Sequence, residues 1–342
     1  MSRRPALRDA TLATALLLAA VYVGSSELAH LDPALLGYLA ATVAACFVTV
    51  YRTSALWRRR PSAFYARALL EAVCRPRELR RLLGAAGRDL AAQRFIARRS
   101  RVRWLAHLLL SAGTLASFAI TVPLVWGWLR FEADGDRAYR AILVSVPVLR
   151  FATDGIVGWL VFHGLSLAAI AVAVGATYFL LARLRSRGGP HESTGFHLAP
   201  LFLLLAVAAS GLALPAAGRS GLPGLFRAAA LGHEVCVVAL LLALPFTKLA
   251  HILIRPLHLG AQLVRAPGAP RAGCTGCGAP LAPVTQREAV ERLLAARGFR
   301  FARHQRRCPT CRRRQVAAAQ AELFGAQFQP RPAAPAARPA AA

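Results

Sequence analysis

Six stretches of this chain, residues 10–29, 33–51, 104–128, 155–184, 197–217 and 228–254, are apolar over lengths that approach a bilayer's thickness. A helix needs about 20 such residues to cross the hydrocarbon core. No water is available there to satisfy free backbone groups, so each stretch must close its hydrogen bonds within itself, and an open sheet is excluded. The whole 342-residue chain agrees, with 56% hydrophobic residues and a mean hydropathy of +0.45. The expected fold is an all-α membrane protein with about six transmembrane helices in a bundle and a small cytoplasmic module of zinc-ribbon type.

Arginine sets the expected orientation. Residues 52–103 carry 15 Arg against 3 acidic residues, and the chain after Ile252 carries 15 Arg against 3, whereas residues 129–154 balance 4 Arg with 4 acids. The positive-inside rule puts the basic segments and both termini in the cytoplasm, and the balanced loop outside. No small-residue cleavage site stands out after the first span, so it reads as an uncleaved helix. A net charge of +28 raises nucleic-acid binding. Cytoplasmic retention and anionic lipid headgroups account for the charge within this topology, and no nucleic-acid partner is expected.

Five divisions follow. Residues 1–51 form a transmembrane hairpin, and 52–103 a basic amphipathic segment of one or two surface helices with Pro76 between them. Residues 104–260 form a four-helix membrane domain, 261–318 a four-cysteine module, and 319–342 an Ala/Pro-rich tail read as disordered.

Ionisable groups inside spans are costly and are functional candidates by default. By depth, His107 pairs with His251 near the cytoplasmic face, and His163 pairs with His233 near the outer face. His233 and His251 are 18 residues apart, about five turns and about 27 Å along one continuous helix, so both rings would share a face. Histidine pairs facing each other across a helix bundle hold b-type haem axially, and two such pairs would make an electron path across the membrane. Core histidines bonded to carbonyls are the bland alternative. His197 is a substitute inner ligand, while His191, His258 and His304 read as solvated. Lys248 is the only lysine among 43 basic residues. It is expected either to pair with a haem propionate or to extend its ammonium to the inner headgroups.

The stretch HEVCVVALLLALPFTKLAHILIRPL (residues 233–257) resembles the last helix of the membrane cytochrome b (gamma) subunit of respiratory nitrate reductases. It is similar also to the relatives of that subunit in heterodisulfide reductase and sulfite-reduction complexes. QRFIARRSRVRWLAHLLLSAG (residues 93–113) resembles the family's other histidine-bearing helix, and the likeness covers residues 94–260. It implies that His107, His233 and His251 bind haem, and that the chain passes electrons between membrane quinone and a peripheral oxidoreductase with iron–sulfur or molybdenum centres. A multi-pass location in a prokaryotic-type inner or plasma membrane is expected. The family carries two ligands ten residues apart on one helix, but here Ala97 and Ser117 stand ten away from His107. His163 would have to supply the fourth ligand. A secondary transporter, or a haem-free sensor with a zinc-binding tail, is the reading from a different class.

Cys274/Cys277 and Cys308/Cys311 form two C-x-x-C pairs on the expected cytoplasmic side, where disulfides are disfavoured and metal ligation is the natural use. Four thiolates suit zinc, and alternatively iron.

Overall fold

The computed structural model describes residues 4–59, 62–185, 194–265, 268–300 and 302–325, with no side-chain description for residues 194–197 and 302. The chain divides into two compact units, Met1–Leu259 and Gly260–Ala342.

In the first unit, six helices are long and apolar enough to cross a membrane, and this is a multi-pass membrane protein. Helix α1 spans Arg4–Gly24 and α2 spans Leu36–Trp57. Two short helices follow, α3 (Ser62–Val73) and α4 (Pro76–Ala86). Pro76 begins α4 at its first turn, where a missing N–H costs nothing. After a π-helical turn at Gly87–Ala91 comes the single-turn α5 (Arg94–Ala97), then α6 (Arg101–Val125), capped by the Ser100 side chain. Helices α7 (Ile156–Arg185), α8 (Thr194–Arg219) and α9 (Pro223–Ala243) complete the spanning set.

Small residues hold these helices together. Gly113 of α6 lies where a Cβ would be 2.7 Å from the Ala168 carbonyl of α7, and Gly175 of α7 where a Cβ would be 2.5 Å from the Ala106 carbonyl of α6. The two helices thus meet backbone to backbone twice. Ala106, Ala168 and Ala176 are buried at the same contact, and Ala41 and Ala45 of α2 pack on Leu241 of α9. Many large side chains face outward, Leu115 being 67% exposed and Val235 68%, while Val172, Leu204 and Leu240 are buried together. Lipid tails are as apolar as leucine, so helices in a bilayer gain by close van der Waals packing at small residues and not by hiding large ones.

Two features differ from the sequence expectation. Residues 129–154 are not a plain loop but a three-stranded antiparallel meander, β1 (Leu129–Ala133), β2 (Ala138–Leu143) and β3 (Val146–Ala152). Tyr139, Phe151 and Phe162 form an aromatic cluster that seats this sheet on the start of α7. Reading these residues for charge alone passed over their alternating apolar side chains. The sixth apolar run is also not one helix. Helix α9 stops at Ala243, two 3₁₀ turns follow at Leu244–Phe246 and Lys248–Ala250, and α10 runs from His251 to Val264. Pro245 has no N–H for the carbonyl four residues back, and its ring crowds that carbonyl. Thr247 then turns extended and accepts a hydrogen bond from the Leu249 N–H through its Oγ.

In the second unit, a hairpin of β4 (Arg271–Gly273) and β5 (Pro280–Pro283) leads to α11 (Val284–Ala295), the short α12 (Ala302–Gln305) and α13 (Pro309–Phe324). Helix α13 extends past residue 319, into the stretch expected to be disordered, and residues 326–342 lie outside the described residues.

Gly175→Leu should lower thermal stability in detergent by about 1–3 kcal/mol, because the added side chain must push α6 from α7. Gly232→Ala, where a Cβ meets nothing within 4 Å, should cause no loss. Parallel thermal unfolding of the two variants checks this.

Candidate functional site

The ends of α6 and α10 bring two of the four candidate histidines into one neighbourhood. His107 is half-buried on the second turn of α6, edge-on to Phe179 of α7 with ring centroids 5.9 Å apart. Its Nδ1 is 2.7 Å from Gln93 Oε1, and Gln93 Nε2 donates to Ser111 Oγ at 2.7 Å. Ser111 Oγ in turn donates to the Leu108 carbonyl at 3.2 Å. A hydroxyl has one proton, so Ser111 accepts from the amide, the amide oxygen accepts from the imidazole, and His107 carries its proton on Nδ1. Its Nε2 keeps a lone pair. A nearby carbonyl or amide fixing the tautomer in this way is how a ligand imidazole is held for a metal.

His251 opens α10. Its Nδ1 donates to the Lys248 carbonyl at 2.6 Å, and since a carbonyl only accepts, Nε2 is again the free nitrogen. His251 and Arg255 lie near His107. The Arg255 guanidinium sits 4.4 Å above the Phe95 ring of α5, a cation–π contact that ties α10 to the segment bearing Gln93. The break at Pro245 therefore has a consequence for the site: His251 belongs to a helix of its own, and the same-face argument from its 18-residue spacing with His233 does not hold. Lys248 serves His251 through its backbone carbonyl, while its side chain is exposed.

The other pair is not brought together. His163 is exposed on α7, its Nδ1 bonded to the Trp159 carbonyl at 2.9 Å and its ring stacked on Trp159 at 4.9 Å. His233, on α9, instead faces α8. Its Nδ1 is 2.9 Å from Ser210 Oγ, and Gly211 makes room for its ring. Ser210 donates to the Ala206 carbonyl at 2.7 Å and so accepts from His233. Among the described residues, neither a hydrogen bond nor a ring contact joins His163 to His233. Ser117, ten residues after His107, donates to the Gly113 carbonyl of its own helix at 2.9 Å. His191 lies outside the described residues, and so does the side chain of His197.

Sequence reasoning passed over two residues. Gln93 is 7% exposed and adopts φ 50°, a left-handed conformation uncommon for a residue with a Cβ, which lets its amide reach α6. A lone polar residue before an aromatic in a basic run gave little signal. Glu234, beside His233, lies against Gly37 of α2 with no room there for a Cβ. A carboxylate inside an apolar run was a signal to follow.

In the second unit, the Sγ atoms of Cys274, Cys277, Cys308 and Cys311 all lie within 4.8 Å of one another and can hold a metal ion. The backbone N–H of Cys308 and that of Gly276 point at Cys274 Sγ at 3.1 and 3.4 Å, and the Cys311 N–H points at Cys308 Sγ at 3.4 Å. These amides pull the Cys274 thiol down to about 6, the Cys308 amide contributing most. The Cys311 thiol is pushed up to about 12 by its neighbours Cys308 and Cys277. Four thiols this close do not all ionise unless a cation joins them.

Compared with protein-family models, curated proteins and solved structures, the chain matches none.

Gln93→Leu should remove the acceptor that fixes His107, leaving a half-buried N–H unpaired at a cost of about 1–3 kcal/mol. In ¹⁵N-histidine spectra of the variant, the His107 signal should move from one tautomer toward a mixture. Gln93→Glu, which keeps an acceptor oxygen, should retain the Nδ1–H form.

Proposed function

We propose that this chain is a membrane cytochrome b whose inner haem site is formed by His107 and His251. The observation that carries this reading is the hydrogen-bond chain Ser111–Gln93–His107, which leaves His107 Nε2 as a base at the end of the bundle where His251 Nε2 is also free. Both rings have Nδ1 committed to an oxygen, which leaves Nε2, a nitrogen that axial haem ligation can use. A b-type haem held there would supply one-electron redox chemistry. Gln93 and the Lys248 carbonyl orient the two rings, Phe179 packs on one of them, and Arg255 would offer a cation to a haem propionate. The arginines flanking α6 favour this end as the cytoplasmic one.

Membrane quinone and a peripheral oxidoreductase with iron–sulfur or molybdenum centres are the proposed electron partners, following the resemblance of residues 94–260 to the nitrate reductase gamma subunit. Oxidation of a quinol releases two protons with its two electrons. His233, with Nε2 free, and Glu234 beside it, which lies against Gly37 near the start of α2, are among the groups toward the other end of the bundle able to receive a proton. The separation of His163 from His233 favours one haem over two.

The break at Leu244–Ala250 is the one observation on the side of a transporter, since transporters bind cargo at discontinuous helices. Those sites lie near mid-membrane, whereas the last span already runs from Pro223 to Phe246 and the break falls at its end.

A reduced-minus-oxidised visible spectrum of the protein from a haem-sufficient host separates the readings. A b-type alpha band is expected, lost in His107→Ala and in His251→Ala and kept at full intensity in His163→Ala. A wild-type protein without the band would overturn the cytochrome reading, and loss of about half the band in His163→Ala would restore the second haem.

A further inference from the structure

The described residues of the unit Gly260–Ala342 form almost no hydrophobic core. Among its described residues between 268 and 325, only Ala272, Cys274, Pro283 and Cys308 are buried, and no leucine, valine or phenylalanine is. Helices α11 and α13 contribute no buried residue. Phe299, Val316, Leu323 and Phe324 are all more than half exposed. A segment of some 60 residues is marginal even with a good core, and small domains without one depend on cross-links or metals.

Yet the backbone here is ordered around the four sulfurs. Thr275, inside the first C-x-x-C, donates through its N–H to the Arg306 carbonyl at 2.9 Å, so the first knuckle is tied to the lead-in of the second. The Arg306 side chain meets Glu291 of α11 at 3.2 Å, bringing that helix to the same point, and Arg312 donates to the Arg307 carbonyl at 2.8 Å. Cys277 Sγ and Cys308 Sγ are 3.7 Å apart. That separation is too long for a disulfide. It matches the edge of a tetrahedron with metal–sulfur bonds of about 2.3 Å, which is about 3.8 Å.

We propose that one zinc ion bound by Cys274, Cys277, Cys308 and Cys311 takes the place of the missing core, so that this unit is folded only when metallated. Binding displaces the remaining thiol protons and leaves a site of charge −2, with Arg306, Arg307 and Arg312–Arg314 flanking the second cysteine pair in the sequence. Zinc fits better than a redox-active iron. A hydrophobic shell around a metal governs solvent access and potential, and here Cys277 is exposed and, among the described residues, no large apolar side chain is buried near the sulfurs. An ion without redox chemistry tolerates that openness. The inference is independent of the haem proposal.

The test uses the full chain in detergent. Elemental analysis should give one zinc per chain, and Cys274→Ser with Cys308→Ser should give none. Trypsin should spare the arginines between Arg287 and Arg314 in the metallated protein and cut them after chelation, and added zinc should restore protection to the wild type, a reversal that a misfolded variant cannot mimic. The six-helix unit should keep its thermal transition throughout. Stoichiometric iron in place of zinc, or a tryptic pattern unchanged by removal of the metal, would overturn the proposal.

Discussion

A polar group carried into an apolar environment must find its partner within the protein, and in the first unit this requirement governs both the helices and the candidate site. Backbone groups meet it by forming helices. Side chains meet it in steps of one turn: Thr42, Thr114, Ser117, Thr121 and Ser210 each bond the carbonyl four residues earlier. The histidines follow the same rule. Each of the four candidates has Nδ1 engaged by an oxygen, and each therefore presents Nε2. His107 and His233 both take their partners from another segment, and what distinguishes His107 is that its partner, Gln93, has a backbone conformation that few residues with a Cβ adopt.

Close helix contact makes that arrangement possible. Gly113 and Gly175 allow α6 and α7 to touch through their backbones, and Ala106 is buried one residue before His107 at this contact. A larger residue at either glycine would move the helix that carries the imidazole. Packing by small residues in the span and ring orientation at its end are thus one structural problem, solved mainly by van der Waals contact.

The two units rest on different physics. The first has lipid as solvent and is held by close contact at small residues together with a few buried clusters such as Val172, Leu204 and Leu240. The second is exposed and Arg-rich, with a cluster of four sulfurs where a core would stand. A metal is the economical solution for a segment of that size, since ligand binding free energy then acts as folding free energy.

Composition and spacing by themselves determined the six spanning helices, because hydropathy over about 20 residues is a local property. They determined the four-cysteine cluster too: each C-x-x-C closes its own knuckle, and only the meeting of the two knuckles required the fold. Pro76 was legible as the boundary between two surface helices for the same local reason. Pro245 was equally local, but its effect was masked by the apolar run on both sides, so one helix was expected where there are two. Which histidines meet was decided only by tertiary structure. Depth along a span sorts residues by height but not by azimuth, and azimuth turned His163 outward, set His233 against Ser210 and left His107 beside Gln93. Gln93 itself reaches α6 through a single left-handed residue, a conformation that no periodicity encodes.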